Sequence, residues 1–183
     1  LDEIGLEPSG ILIEPEGRNT APAAAAAALF ALAQDADAMI LLVPSDHAIS
    51  QPELFRDAVL AGAPAAEAGQ IVTFGIAPTR AETGYGWLET GTDQNGVSKL
   101  ERFVEKPDLE RARHFLSDGG YSWNGGLFAF RADRFMEELE TQFNEMAAAL
   151  ESVRHQGDTE WTQQYPEYSD HICHFDLIGI ALR

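Results

Sequence analysis

Met39-Ile40-Leu41-Leu42-Val43, followed at once by Pro44-Ser45-Asp46-His47, is the stretch whose reading decides the fold class. Five consecutive apolar residues without alternation predict a strand buried on both faces, as at the centre of a parallel sheet. The turn residues behind it predict a loop at the strand's carboxyl end. Upstream, Thr20-Ala21-Pro22 and a run of alanines predict a helix to about Gln34, with Asn19 or Thr20 as N-cap and Pro22 in the first turn. Its small side chains imply close packing on a sheet. Ile11-Leu12-Ile13 reads as a short buried strand ending at Glu14-Pro15. Downstream, a helix is expected from about Pro52 to Ala68, with Leu54, Phe55, Ala58 and Val59 as its apolar stripe and a kink or break at Pro64. Gln70 to Ile76 is a further apolar strand. Strand, helix, strand, helix, strand argues for right-handed βαβ units, hence an α/β fold with a mostly parallel sheet and helices on both faces.

The middle of the chain changes character. Tyr85–Glu89 and Val97–Glu105 predict two strands of a hairpin around Asp93-Gln94-Asn95-Gly96. Asp108 is expected to cap a helix, Leu109 to Ser117, that ends at Gly119-Gly120. Gly126–Phe130 reads as a strand, and Asp133 as the cap of an amphipathic helix to about Val153. Residues 158–183 hold no clear period apart from the apolar run Leu177–Leu182, and no internal repeat or second domain is visible.

Twelve Lys and Arg against 30 Asp and Glu give a net charge of −18. That balance argues against nucleic acid or an anionic membrane as partner, since both are held by clustered cations. A small anionic ligand stays compatible if a metal ion or a few aimed cations offset the field. The single Cys173 excludes an intrachain disulfide and a cysteine metal cluster, which suits a reducing cytoplasm. Leu1-Asp2-Glu3-Ile4 is acidic and lacks a basic region followed by an apolar run, so no targeting segment is expected in it, and Ala21–Ala33 is too short to span a bilayer.

In an open parallel sheet, ligands bind beyond the carboxyl ends of the strands. Asp46 stands there, suited to a divalent metal bridging phosphates, although by spacing alone Asp46 or Ser45 reads more readily as the cap of the next helix or turn. Ser45, Asp46 and His47 are consecutive and cannot aim at one another as a triad does; His47 alone reads as a turn residue. Arg18-Asn19-Thr20 precedes a helix N-terminus, which favours an anion or a polar ring edge, though ordinary capping explains Asn19 and Thr20. Gly84-Tyr85-Gly86 would let a ligand approach the backbone, or is only a loop. Trp123-Asn124-Gly125-Gly126 offers an aromatic wall and an amide suited to sugar hydroxyls; a buried Trp beside a turn Asn reads as cheaply. Phe103-Val104-Glu105-Lys106-Pro107 sets a carboxylate beside one of only two lysines in the chain, Lys99 and Lys106. Neighbours on a strand point to opposite faces, so a joint role for Glu105 and Lys106 requires a twist, a bulge or the strand end. The Walker and GxGxxG patterns are absent. Pattern alone therefore reaches an α/β domain with a polar ligand cleft.

Six motifs in order carry more. Glu14-Pro15-Glu16-Gly17-Arg18-Asn19-Thr20-Ala21-Pro22-Ala23, Leu42-Val43-Pro44-Ser45-Asp46-His47, Phe74-Gly75-Ile76, Glu82-Thr83-Gly84-Tyr85-Gly86, Phe103–Pro107 and Trp123–Gly126 together resemble the bacterial mannose-1-phosphate guanylyltransferases, or GDP-mannose pyrophosphorylases. The similarity begins near Leu1 and fades around Tyr168. It implies a Rossmann-like nucleotide-diphospho-sugar transferase fold. The implied reaction makes GDP-mannose and pyrophosphate from GTP and mannose 1-phosphate, with Mg²⁺. By motif, Glu14, Pro15, Arg18, Asn19 and Thr20 would bind the nucleotide and Asp46 would be a metal ligand. Gly84, Tyr85, Glu105 and Asn124 would hold the mannose, and Lys106 would contact the sugar phosphate; Lys106 and Asp46 are the implied catalytic pair.

The departures also imply something. The family's Gly-rich triphosphate loop belongs upstream of Leu1, so the sheet is expected to be incomplete and turnover by this chain alone to be small. Residues 1–168 are then a partial nucleotidyltransferase domain and 169–183 a divergent tail, in which Ser169-Asp170-His171-Ile172-Cys173-His174-Phe175-Asp176 departs from the family. Gly125 replaces the Ser of the usual Trp-Asn-Ser-Gly. Two other readings stay open: a non-catalytic remnant that binds a sugar phosphate or a partner subunit, and a nucleotidyltransferase for another sugar 1-phosphate, which Arg18–Pro22 disfavours. A homo-oligomer is left open.

Overall fold

The computed structural model describes residues 5, 7–13, 20–94 and 96–142, with the backbone of 177–182. Its elements in chain order are α1 (Thr20–Leu32), β1 (Met39–Leu42), α2 (Pro52–Glu67), β2 (Ile71–Ile76), β3 (Trp87–Gln94), β4 (Val97–Val104), α3 (Leu109–Asp118), β5 (Tyr121–Arg131), α4 (Ala132–Gln142) and β6 (Leu177–Leu182).

The sheet is assembled on β5. One edge of β5 pairs along its length with β2, antiparallel, from Val72 opposite Ala129 to Ile76 opposite Trp123. Its other edge is shared: β1 takes the far half, Met39 opposite Arg131 to Leu42 opposite Phe128, and β3 takes the start, Trp87 opposite Trp123 to Glu89 opposite Tyr121. Beyond β2, the order continues through β6 and β4 to β3, which returns to β5. The hairpin of β3 and β4 forms as expected, with Gly96 at φ +85° in its turn.

The fold is mixed α/β as expected, but its pairing differs from the mostly parallel sheet. β1, β2, β3 and β6 run one way and β4 and β5 the other; among the described pairings only β2 with β6 is parallel. The physical reason is the insertion of β5, far away in sequence, between β1 and β2. Two strands joined by a helix thus keep a common direction without touching. The same insertion moves Met39–Val43 from the expected centre to an edge. Ile40 and Leu42 pack on the core, whereas Met39 and Leu41 are 42% and 41% exposed.

Three further expectations are corrected. Ile11–Ile13 is not a buried strand: no described strand pairs with it, and Ile11 and Ile13 are 75% and 81% exposed. α2 runs unbroken through Pro64, which falls in the last turn and removes one hydrogen bond, to the carbonyl of exposed Leu60. α4 begins at Ala132, one residue before the expected cap; the Asp133 carboxylate instead accepts from the Arg131 guanidinium and the Arg134 N–H. The Arg131 contact holds Asp133 below the usual carboxylate range. The end of this helix, expected near Val153, lies outside the described residues. α3 follows expectation, with Asp108 Oδ1 accepting from the Arg111 N–H and Gly119 at φ +80° closing it.

Helices do cover both faces. α1 and α4 pack on one face through Ala24, Ala25, Ala28, Leu29, Phe135, Met136 and Leu139 against Ile71, Phe128 and Phe130. The alanines let α1 approach closely, which is what its sequence implied. α2 covers the other face through Phe55, Ala58, Val59 and Ala66 against Val72, Phe74, Leu127 and Ala129. The alternation Ile71/Val72 and Phe128/Ala129 is the two-residue strand period, read off by opposite helices. α3 closes a third cluster, in which Phe115 lies against Trp87 and stacks on Tyr121 at 4.2 Å.

Candidate active site

The cleft arises where β5 stops being straight. On β2, Thr73 pairs with Phe128 and Gly75 with Asn124, so a step of two residues answers a step of four on β5. The surplus is a bulge over 125–127, with Gly126 at φ +65°. Such a bulge bends its strand and re-aims the side chain beside it, here Asn124. Gly125 fits the tight side of the bend: a Cβ there would lie 2.8 Å from the Phe74 carbonyl oxygen.

On the opposite edge of β5, β1 has ended at Leu42 and β3 has not begun until Trp87. Residues 124–127 therefore carry no strand on that side among the described residues. Two loops flank the gap. From one side comes Pro44, whose Cγ lies 3.7 Å from where a Cβ on Gly126 would stand. Asp46 follows two residues later, exposed in the turn. From the other side comes Gly84-Tyr85-Gly86: the Asn124 N–H donates to the Gly86 carbonyl at 2.8 Å, and the Tyr85 ring sets its edge on Trp123 at 5.5 Å.

Glu105 and Lys106 join that second loop. β4 ends at Val104, so both residues lie past the strand, and Lys106 turns to φ +40°. This answers the difficulty that strand neighbours point apart: Lys106 Nζ sits 3.2 Å from Glu105 Oε1. The Lys106 N–H donates to the Tyr85 carbonyl at 3.2 Å, and Glu105 Oε2 lies 3.0 Å from where a Cβ on Gly86 would be. Gly86 is glycine because the carboxylate and the Phe103 ring use the space of a side chain.

Two residues to which the sequence reading gave no role organise this loop. Glu82 Oε1 accepts from the N–H groups of Thr83 and Gly84 at 3.0 and 2.9 Å, while Oε2 accepts from Arg80 Nε at 3.0 Å. The Gly84 N–H, then the Arg80 guanidinium, hold Glu82 below the usual carboxylate range. Arg80 is correspondingly raised, mainly by its hydrogen bond to Glu82, and stacks over Trp123 at 5.1 Å from the ring centre. The Trp87 indole N–H donates to the Glu82 carbonyl at 2.8 Å, tying the loop to the start of β3. The usable signal was Arg80-x-Glu82-x-Gly84, a spacing that lets one carboxylate bridge a guanidinium and the backbone two residues on.

The Asn124 amide is fixed from below. Its Oδ1 accepts from the Thr73 hydroxyl and the Gly126 N–H, each at 3.2 Å, which leaves Nδ2 as the donor end. Gly84, Tyr85, Glu105, Lys106 and Asn124 are thus brought together, whereas Asp46 is exposed in the turn two residues past Pro44. Thr20 is exposed as the first residue of α1. Glu14, Pro15, Arg18 and Asn19 lie outside the described residues. No group of three or more His, Cys, Asp or Glu that could hold a metal ion gathers among the described residues. No helix among them is long and apolar enough to cross a membrane.

Known proteins are similar to this chain in sequence and in fold. Xanthan biosynthesis protein XanB of Xanthomonas campestris pv. campestris is 52% identical over 139 residues, 76% of this chain and 30% of XanB. The mannose-1-phosphate guanylyltransferase ManC of Salmonella typhimurium is 47% identical over 150 residues, 78% of this chain and 31% of ManC. The chain thus spans about a third of the length of the curated relatives it matches. The crystal structure of mannose-1-phosphate geranyltransferase from Thermus thermophilus superposes with a TM-score of 0.83 at 32% identity, covering 94% of this chain and 52% of that one. The nucleotidyl transferase profile matches residues 4–168, and the chain belongs to the nucleotidyl transferase family.

Proposed function

We propose that the chain carries the sugar-phosphate half of a mannose-1-phosphate guanylyltransferase, which makes GDP-mannose and pyrophosphate from GTP and mannose 1-phosphate. The observation that carries this reading is the meeting of Lys106, Glu105, Tyr85 and Asn124 at the gap in β5, from three separate segments. The name and identity of ManC support the choice of substrate.

The chemistry asked of these residues is modest. A phosphate oxygen of mannose 1-phosphate attacks the α-phosphorus of GTP in line; the α–β bridging P–O bond breaks, and pyrophosphate leaves with its electron pair. Catalysis of this kind is positioning plus charge stabilisation. Lys106 Nζ would hold the attacking phosphate, in a chain whose net charge of −18 would otherwise repel it. Glu105 and Asn124 Nδ2 offer an acceptor and a donor to mannose hydroxyls, with Tyr85 as a wall. Glu14, Pro15, Arg18, Asn19 and Thr20 are the proposed guanosine side. One exposed carboxylate, Asp46, fits Mg²⁺, an ion that takes one or two carboxylates and completes its shell with water and substrate phosphates. Bound there, it would neutralise charge on the phosphates.

Titration calorimetry with mannose 1-phosphate and with GDP-mannose tests the reading, alongside pyrophosphate release when GTP and Mg²⁺ are added. Binding that weakens in Lys106→Ala and Asn124→Ala is expected. No heat with either ligand would remove the proposal, and preference for glucose 1-phosphate or UTP in competition would transfer it to a different nucleotidyltransferase.

A further inference from the structure

We infer that Thr73 is a positioning residue for this cleft: its hydroxyl, seated under the β5 bulge, holds the Asn124 amide so that Nδ2 is the atom offered to a sugar hydroxyl. The inference rests on the function proposed above and deepens it.

Thr73 is completely buried, on a strand whose neighbours Val72 and Phe74 are apolar. A hydroxyl in such a place needs partners, because nothing from solvent can replace them. Two acceptors compete for its single proton, Asn124 Oδ1 at 3.2 Å and, farther off, the Leu127 carbonyl at 3.4 Å. Asn124 precedes the bulge and Leu127 is its last residue, so the hydroxyl sits across the irregularity. The amide orientation follows from its second contact. The Gly126 N–H can only donate, so the atom it meets must be Oδ1. With Oδ1 held by Gly126 and Thr73 together, the two hydrogens of Nδ2 point away from both. Without Thr73 the amide keeps a single restraint, and that one comes from a glycine at φ +65°. Threonine suits the task, since its β-branch narrows χ1 and packing then fixes where the hydroxyl points.

Thr73→Val keeps the shape and removes the hydroxyl; Thr73→Ser keeps the hydroxyl. Calorimetry with mannose 1-phosphate should show about five- to tenfold weaker binding for Thr73→Val, the range set by one lost hydrogen bond. Thr73→Ser should stay within about twofold, and Thr73→Val should add nothing in an Asn124→Ala background. Equal affinity of Thr73→Val and wild type, equal loss in Thr73→Ser, or additive losses would each overturn the inference. If Thr73→Val does not fold, Thr73→Ala takes its place. The Asn124 side-chain NH₂ signals, assigned by their loss in Asn124→Asp, give a readout that needs no ligand. They should be held in wild type and Thr73→Ser and move toward free-amide positions in Thr73→Val. Absence of binding by wild type would count against the proposed function, and the amide signals would then decide Thr73: unchanged signals in Thr73→Val refute it.

Discussion

Lys106 holds a backbone conformation that its own sequence opposes twice. Its φ of +40° lies in the left-handed half of backbone space, where a Cβ meets the carbonyl oxygen. Pro107 follows and pushes the residue before it toward extended backbone. The conformation is kept by its N–H bond to the Tyr85 carbonyl and by the burial of Pro107. Comparing Lys106→Ala with Lys106→Gly separates backbone from side chain. Both remove the Glu105 ion pair, whose side chains are 65% and 52% exposed, so that contribution cancels between them. Only glycine relieves the Cβ, a gain of about 1–2 kcal/mol. Its extra freedom in the unfolded chain costs about 0.5–1 kcal/mol. Lys106→Gly should therefore be more stable than Lys106→Ala, by up to about 1.5 kcal/mol, or as much as roughly 6 °C in melting temperature for a chain of this size. Parallel urea and thermal unfolding measures it, and calorimetry should show both variants losing mannose 1-phosphate affinity together. If Lys106→Gly melts below Lys106→Ala, the strain is not there. If affinity survives in either, the amine is not a phosphate ligand.

Gly86→Ala should disturb the cleft more than the fold, because its Cβ would stand 2.6 Å from Phe103 Cζ and 3.0 Å from Glu105 Oε2. The expected result is a stability loss of about 1–3 kcal/mol by overpacking, with weaker mannose 1-phosphate binding than that loss explains; unchanged binding would mean Glu105 does not face the ligand. Glu82 has a lowered pKa in the folded chain, chiefly through the Gly84 N–H and then Arg80. Its contribution is then fully present above the ordinary glutamate value, about 4.3, and is lost as pH falls through the depressed folded value. Proteolytic nicking of the 80–86 loop should rise on acidification over that window in wild type, and Glu82→Gln should flatten the pH dependence; a profile identical in both would refute the role.

Local pattern gave the helices and the hairpin, because each is decided by residues near in sequence. Asp108 and Gly119 bracket α3 at its observed ends. The alanines of α1 announced a close approach, which the packing of Ala24, Ala25 and Ala28 realises. What local pattern could not supply was the partner of each strand. Met39–Val43 is apolar enough for a sheet centre, but the strand that pairs with it, β5, arrives about 80 residues later and antiparallel. Among the described strands only β3 and β4 are neighbours both in sequence and in the sheet, so the rule that consecutive strands lie side by side failed everywhere except at the hairpin. Tyr121–Gly125 was also missed as strand, since Gly125 and Gly126 mimic a turn. They are the bulge of a continuing strand instead.

The site divides along the same line. Glu105, Lys106, Tyr85 and Asn124 were legible as candidates because their motifs are short, and a joint role for Glu105 and Lys106 required a twist, a bulge or the strand end. The structure supplies the last of these, with Lys106 turning out of β4 onto the Tyr85 carbonyl. The supports were not legible. Thr73 and Asn124 are 51 residues apart and meet only because β5 outruns β2 by two residues at one point. Glu82 reads as a surface acid until its carboxylate is seen closing on two N–H groups and a guanidinium. Residues that would touch a ligand need a chemical identity, and a sequence displays identity directly. Residues that aim them need only a shape and one hydrogen, and those exist after the register is set. A search for positioning residues in this fold should therefore begin at the bulges and follow each buried hydroxyl to whatever side chain it holds.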